Sequence, residues 1–554
     1  MTGALRERPG ELAGARDFAL HRLAADTAQT TPDTLAMVGP AGAVTYGELE
    51  ARARRVAHAL RADGVGTGTR VAYLAEDVGR CLEVAIGTAQ ASGVAVPVNW
   101  RLSAAEVAGI LLDSRAPVLV TTAGSLAALS AEPGALAVVR VAVLLDEPSP
   151  APVPPAGVDV RVVGYEAWTA DQPSTASDAH HDVKCDPQDV ALQIYTSGTT
   201  GRPKGVMLTG ANLAASLPEI CQMWQLNASS RMLAVLPLFH IAGVGAAIGT
   251  LYAGATLVVP ERVTAAAMVD AIAAHGVTNL VLASVLLQWL LDEVAARRER
   301  GEAVPLASLR LVAYGAAPIS QQVLRDALQH LPCGLLQVYG LTECVGTIAV
   351  LQPEDHTLGD GGTERLRSCG RPLPTLELRL VDSDSGAVVD PGDVGEVQIR
   401  SPRVMAGYWN LPDETAETVT PDGWLRTGDL AQQDDQGYLY LCDRLKDMVV
   451  TGGENVYPAE VEDVLQWHPA VAEVAVVGVP DPRWGETLKA LVVMAPGSAA
   501  TEPELVAFAR EHLAHYKCPS SVDFLPTLPR NATGKVLRRV LREPYWEGRS
   551  RRVN

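Results

Sequence analysis

VALQIYTSGTTGRPKGV, residues 190–206, joins an apolar run to a loop made largely of glycine and hydroxyl side chains. Val190 to Ile194 has the continuous hydrophobicity of a short buried strand. The next eleven residues, Tyr195–Gly205, hold three glycines (Gly198, Gly201, Gly205), four hydroxyls (Thr196, Ser197, Thr199, Thr200) and Lys204. Glycine lets backbone amides approach closely, hydroxyls donate short hydrogen bonds, and lysine adds a cation. That combination suits a polyphosphate, whose charge is met by many short-range donors. A Walker A loop is excluded by spelling: it places Gly-Lys-Ser/Thr after four spacers, whereas Lys204 here precedes Gly205.

Around this segment, strand and helix patterns alternate. Thr45 and Glu48 spell a capping box that opens a helix through Leu60, followed by the apolar run RVAYLA at 70–75. Ser103 and Glu106 cap another helix, followed by APVLVTT at 116–122. A second alternation runs from about 190 to 345. GEVQIRS (395–401), GWLRTGDLA (423–431) and GYLYLCD (437–443) read as β structure broken by turns. After Asp443 come a helix from Pro458, the strand VAEVAVVGV (471–479) and a helix capped by Thr501 and Glu504. The fold class is therefore α/β: a large N-terminal domain of αβ-layered subdomains plus a β-rich subdomain, with a small C-terminal α+β domain. The expected boundaries are 1–443 and 444–554, with EPSPAPVPP (147–155) as an extended surface connection.

Composition narrows the partners. A net charge of −19 over 554 residues argues against broad contact with a nucleic-acid backbone. The local exception, Arg530–Asn554, has eight basic residues against two acidic ones and reads as a solvated tail, Lys535 set aside. Eight scattered cysteines without a CxxC pair give neither a disulfide framework nor a zinc pattern, and the N-terminus lacks a signal-like apolar run, so a cytoplasmic location is expected. Met232–Pro260 carries no Asp, Glu, Lys or Arg, but Pro237, His240 and four glycines break it into strand, short helix and strand (TLVV, 256–259), and no membrane span is expected.

The 195–205 loop resembles the signature of the adenylate-forming superfamily, which includes acyl-CoA synthetases, firefly luciferases and nonribosomal-peptide adenylation domains. Seven further family-like segments follow in the usual order: PLFHIAG (237–243), YGAAPIS (314–320), YGLTE (339–343), GWLRTGD (423–429), DRLKD (443–447), GGENVYPAEVE (452–462) and NATGK (531–535). They span most of the chain from about residue 40 to 540, and the likeness is greatest to acyl- or aryl-CoA ligases.

The resemblance implies a reaction and a cast. A carboxylate oxygen attacks the α-phosphorus of ATP, pyrophosphate leaves, and the acyl group then passes to a thiol. Thr196, Ser197, Gly198, Thr199, Thr200, Gly201 and Lys204 would cradle phosphate. Glu343 would bind Mg2+, a hard cation that favours oxygen ligands, and Thr342 would donate to the α-phosphate. Gly315, Ala316 and Ala317 would wall the adenine, with Tyr339 stacked near it. Asp429 would accept from the ribose hydroxyls, assisted by Arg444. Lys535 would bridge the substrate carboxylate and the α-phosphate, offsetting the repulsion of two anions.

His240 would flank the acyl pocket and gate the thiol. The pocket itself would draw on His240 to Gly249, Ser284 to Trp289, Tyr314, Gly315 and Cys344 to Gly346. These residues are mostly small or apolar, which fits an aromatic or medium-chain monocarboxylate. No acidic residue sits there to receive an amino acid's ammonium. The resemblance also implies that the small C-terminal domain is mobile: a hinge at Lys446 would swing it so that Lys535 withdraws while Gly452, Gly453 and Glu454 line a channel for pantetheine. The expected cofactors are ATP, Mg2+ and coenzyme A. The alternative acceptor is the phosphopantetheine of an acyl-carrier protein. A catalytically silent binding protein would have lost Lys535, Glu343 or Asp429, and all three are present.

Overall fold

The computed structural model describes residues 19–146, 159–174, 186–196, 203–315, 319, 321–358, 365–383, 385–445, 447–451, 454–481, 483–530 and 534–547. Two large sheets dominate it. In the first, the strands run in the order Gly407–Tyr408, Lys204–Thr209, Val190–Thr196, Val94–Pro97, Arg70–Leu74, Val118–Thr121, Val141–Leu144, Arg161–Gly164. From Val190–Thr196 onward the neighbours are parallel; the hairpin Val190–Thr196/Lys204–Thr209 and the edge strand Gly407–Tyr408 are antiparallel. Val118–Thr121 and Val141–Leu144 are buried at every position, which explains why they read as unbroken apolar runs rather than alternating ones.

The second sheet has nine strands, centred on the parallel set Arg231–Leu233, Asn279–Ala283, Leu311–Gly315 and Gly334–Leu341. Its far edge is unexpected from the early alternation. Leu35–Gly39 pairs in parallel with Thr256–Val258, so the N-terminal hairpin Leu35–Gly39/Gly42–Thr45 belongs with strands two hundred residues later rather than with its sequence neighbours.

A core shared by both sheets joins Val71, Val118 and Leu192 of the first to Met37, Leu257 and Leu311 of the second. The helices Tyr46–Ala62, Val78–Gln90, Gly210–Met223 and Ile241–Tyr252 pack into it. The capping boxes at Thr45/Glu48, Ser103/Glu106 and Thr501/Glu504 all form, so each of these helices begins where the local chemistry says it should. The Met232–Pro260 stretch resolves into a strand, the helix Ile241–Tyr252 and the strand Thr256–Val258. Among the described residues no helix is long and apolar enough to cross a membrane.

A four-stranded antiparallel sheet, Glu377–Val381, Gly395–Arg400, Leu425–Gln433 and Leu439–Arg444, forms the β-rich part. The C-terminal part has its own five-stranded sheet and its own core of Val449, Val461, Leu465, Val476, Leu488 and Leu505. The basic segment is not a solvated tail where it is described. Arg530 pairs with Glu473 at 2.6 Å, Arg538 with Glu462 at 2.5 Å, and Trp546 Nε1 donates to the Gly478 carbonyl at 2.9 Å. Helix Arg538–Trp546 thus lies on the hairpin strand Val471–Asp481, with Leu541 buried beneath it. Charge composition alone does not reveal partners that lie tens of residues upstream.

Candidate active site

The site gathers at the carboxyl ends of parallel strands, where open α/β sheets leave room for a ligand. Strand Gly334–Leu341 carries Gln337 and Tyr339 on one face and runs into a short 3-10 turn, Thr342–Cys344. Gly340 is required there: a Cβ would fall 1.5 Å from the Gly346 carbonyl oxygen, across a bulge between Tyr339 and Gly340. The turn presents Glu343, whose own carbonyl is held by the Met405 amide at 2.8 Å.

Tyr339 and Asp429 meet across the gap between the second sheet and the β-rich sheet. The Tyr339 hydroxyl donates to Asp429 Oδ2 at 2.8 Å, and both residues are buried. Burial first, and the Asp429 charge second, hold the Tyr339 phenol well above its ordinary value, so it stays a donor. The Asp429 amide in turn donates to Thr427 Oγ1 at 3.1 Å. Arg444 sits opposite Asp429 in the strand register.

A cleft of about 1440 Å³ opens beside this pair. Gly315, Gln337, Tyr339 and Asp429 line one side, and Lys517 and Lys535 of the C-terminal part line the other. Arg367 and Asp463, 3.6 Å apart, tie the two parts together across it. Gly534, with a φ of +83°, lets the chain before Lys535 press against the large part: a Cβ there would be 3.0 Å from Val285 Cγ1. Lys535, Tyr339, Asp429 and Gly315 thus share one cavity. Glu343 lies just beyond it, three residues past the cleft-lining Gly340.

Glu343 Oε1 accepts a hydrogen bond from the Tyr408 hydroxyl at 2.9 Å, and the Lys204 ammonium lies 4.9 Å from the centre of the same ring. Thr196 ends its strand directly opposite Lys204. Ser197, Gly198, Thr199, Thr200 and Gly201, together with Ala316, Ala317, Lys446, Gly452 and Gly453, lie outside the described residues, as does the 147–155 connection. No cluster of three or more acidic, histidine or cysteine side chains able to hold a metal occurs among the described residues. A lone carboxylate nevertheless fits Mg2+, which usually takes one or two carboxylates and completes its shell with phosphate oxygens and water.

His240 precedes helix Ile241–Tyr252 and contacts the Phe239 ring at 4.6 Å. Burial, then the nearby Arg101, push its imidazole down to about 4, and Nε2 has no hydrogen-bond partner among the described residues. It is neutral at ordinary pH. Ile241, Ala242 and Gly245 form a half-buried side of a helix whose other residues, Tyr252 at its end apart, are buried. A Cβ on Gly346 would lie 3.8 Å from Ile241 Cγ1, and a Cβ on Gly245 would meet nothing within 4 Å. Tyr314, expected along the acyl pocket, points elsewhere: its ring is fully buried in a core and its hydroxyl bonds His356 Nε2 at 2.9 Å. On a strand, neighbours alternate faces, so Tyr314 and cleft-lining Gly315 cannot both look into the site. Trp289 is solvent-exposed.

Sequence reasoning passed over Gln337 and Tyr408. Gln337 shares the cleft face with Tyr339, two residues on, and its buried Oε1 has no hydrogen-bond partner among the described residues. The period of two along this strand was the available signal. For Tyr408 there was none, because its partners lie 65 and 204 residues away in the chain.

Known proteins resemble the chain over nearly its whole length. Residues 24–409 match the AMP-binding enzyme family and residues 460–535 match the AMP-binding enzyme C-terminal domain. A fatty acid–[acyl-carrier-protein] ligase, ScoC, from Streptomyces coeruleorubidus is 38% identical over 95% of this chain and 96% of its own length. A feruloyl-CoA synthase from Amycolatopsis sp is 38% identical over 94% of this chain and 97% of its own. Among solved structures, ATP-bound MatB from Rhodopseudomonas palustris superposes with a TM-score of 0.81 at 29% identity, covering 95% of this chain and 99% of that one.

Proposed function

Since the chain belongs to the AMP-binding enzyme family, we propose that it is an acid–thiol ligase that activates an aromatic or medium-chain monocarboxylate with ATP and transfers the acyl group to coenzyme A. In the first half-reaction a carboxylate oxygen bonds the α-phosphorus and pyrophosphate leaves. In the second the thiol, losing its proton, bonds the acyl carbon and AMP leaves. The observation that carries the reading is the shared cleft: Lys535 opens onto the same cavity as Tyr339 and Asp429. A cation there can hold two anions together and meet the charge that grows as they react.

The remaining roles follow from chemistry. Asp429, oriented by Tyr339, accepts from the ribose hydroxyls, and Arg444 lies across the register from it. Gly315 and its neighbours Ala316 and Ala317 take the adenine. Lys204 and the hydroxyls of 196–200 take phosphate. Glu343 would hold Mg2+, which supplies charge neutralisation on the phosphates when bound. The half-buried side of helix Ile241–Tyr252, with Gly346 beside Ile241, offers an uncharged acyl site, in keeping with an acid that has no second charge. Lys446 would be the hinge between residues 1–443 and 444–554, and Gly452 and Gly453 would line the thiol's path after the swing.

A second acceptor stays in view because a relative of equal identity is a ligase for acyl-carrier protein. ATP–pyrophosphate exchange across a panel of carboxylic acids tests the first half-reaction. Offering the best acid with free CoA or with a holo-carrier then tests the second. Exchange with no acid sinks the function; thioester formed on the carrier alone replaces CoA as acceptor.

A further inference from the structure

Tyr408 is placed by main-chain contacts on both sides. Gly407–Tyr408 pairs antiparallel with Lys204–Thr209, Tyr408 opposite Val206, and the Trp409 amide donates to the Gly205 carbonyl at 2.8 Å. The Tyr408 amide donates to Thr415 Oγ1 at 2.9 Å. Next along, the Trp409 ring is capped by the Arg70 guanidinium at 3.4 Å, and its Nε1 donates to the Asp113 carbonyl at 2.9 Å. With its backbone pinned and only 8% of its surface exposed, the phenol has little freedom to follow a moving partner.

From this fixed point the side chain meets Glu343, Lys204 and Thr418, the last through a side-chain hydrogen bond at the hydroxyl. Its hydroxyl reaches Glu343 Oε1 at 2.9 Å, and its face receives the Lys204 ammonium at 4.9 Å. A carboxylate only accepts, so the phenol must be the donor, and Oε1 is engaged. A carboxylate with one oxygen held is oriented, and its second oxygen points to a defined place. Outer partners of this kind set the direction and basicity of a metal ligand.

We propose that Tyr408 is a positioning residue for Glu343, holding Oε1 so that Oε2 alone is presented to the magnesium that accompanies ATP. The inference rests on the proposed role of Glu343 as metal ligand. The same ring seats Lys204, so the phosphate hairpin and the metal carboxylate take their positions from one side chain. Magnesium bound through one carboxylate oxygen keeps its other positions for phosphate and water, which is the arrangement this cation favours.

The test uses Mn2+ as an oxygen-seeking, paramagnetic probe. Its affinity for the full-length protein saturated with α,β-methylene ATP is measured by electron paramagnetic resonance, without turnover. Tyr408→Phe keeps the ring beneath Lys204 and removes only the hydroxyl; it is expected to weaken Mn2+ by about 10–100-fold. Glu343→Gln is expected to weaken it at least as much, and the double variant no further than Glu343→Gln alone, since both act at one oxygen. Unchanged affinity in Tyr408→Phe beside a clear loss in Glu343→Gln overturns the positioning role and leaves the metal assignment standing. Unchanged affinity in Glu343→Gln overturns both. Additive losses in the double variant also overturn it, because Tyr408 would then act elsewhere.

Discussion

The Tyr339 hydroxyl donates to the Asp429 carboxylate at 2.8 Å, joining a strand of the nine-stranded sheet to a strand of the β-rich sheet at the wall of the cleft. The bond fixes the carboxylate that is proposed to take the ribose. In Tyr339→Phe the ring remains and this donor is lost. A hydrogen bond to a charged group is worth enough to raise the KM for ATP roughly 10-fold. The KM for the acid should hold, and pyrophosphate exchange at varied ATP and varied acid separates the two.

Lys535→Ala should slow adenylation by about 10²–10³, the loss seen when one donor to developing charge is removed. Thioester formation from supplied acyl-adenylate should persist, because the cation is needed only while two anions approach. A correctly folded variant that loses both half-reactions together refutes the role given to Lys535. The complementary substitution, Gly453→Trp, should spare adenylation and block thioester formation.

His240 gives the protein an acid-sensitive element. Folding lowers its value from 6.5 to about 4, burial being the larger cause. Between these values the unfolded chain binds a proton that the folded chain refuses, so stability falls as pH drops from 6.5 towards 4 and is unaffected above that window. At pH 5 the loss attributable to this residue is roughly 2 kcal/mol. Thermal melts at pH 7 and pH 5 should show a smaller drop for His240→Gln than for the parent. Some drop remains, because burial also lowers His21 and His356.

Gly245 opens onto empty space on the half-buried side of helix Ile241–Tyr252. Gly245→Phe should fill that space. Longer or bulkier acids should lose kcat/KM by 10-fold or more while the shortest accepted acid is little affected, an effect of about 1–3 kcal/mol per excluded group. A uniform loss across the acid panel would mean that the acyl group lies elsewhere.

How far the sequence could be read depended on distance along the chain. The capping boxes at Thr45, Ser103 and Thr501 were legible because donor and acceptor are three residues apart. The strand Val118–Thr121 was legible because full burial leaves an apolar run. By contrast, the N-terminal hairpin and its place beside Thr256–Val258 were not legible, because that pairing is set by tertiary packing between segments two hundred residues apart. The basic stretch after Arg530 looked solvated because Glu473 and Glu462, which neutralise it, are more than fifty residues upstream. Tyr314 was placed in the pocket with Gly315 although adjacent strand residues face opposite ways. The motifs supplied Lys535, Asp429, Tyr339 and Gly315 of the cleft, but not Gln337 beside them.

The strand Gly407–Tyr408 also fixes when the hairpin flanking the proposed phosphate loop can complete its pairing in a growing polypeptide. The hairpin Val190–Thr196/Lys204–Thr209 is translated well before it, and at typical synthesis rates of 5–20 residues per second the interval to Gly407 is roughly 10–40 s. For that time the nascent hairpin has an unsatisfied strand edge, a template for wrong pairing that folding helpers on the ribosome can shield. Competence to take up nucleotide would come later still, once Asp429 and Lys535 have also left the exit tunnel.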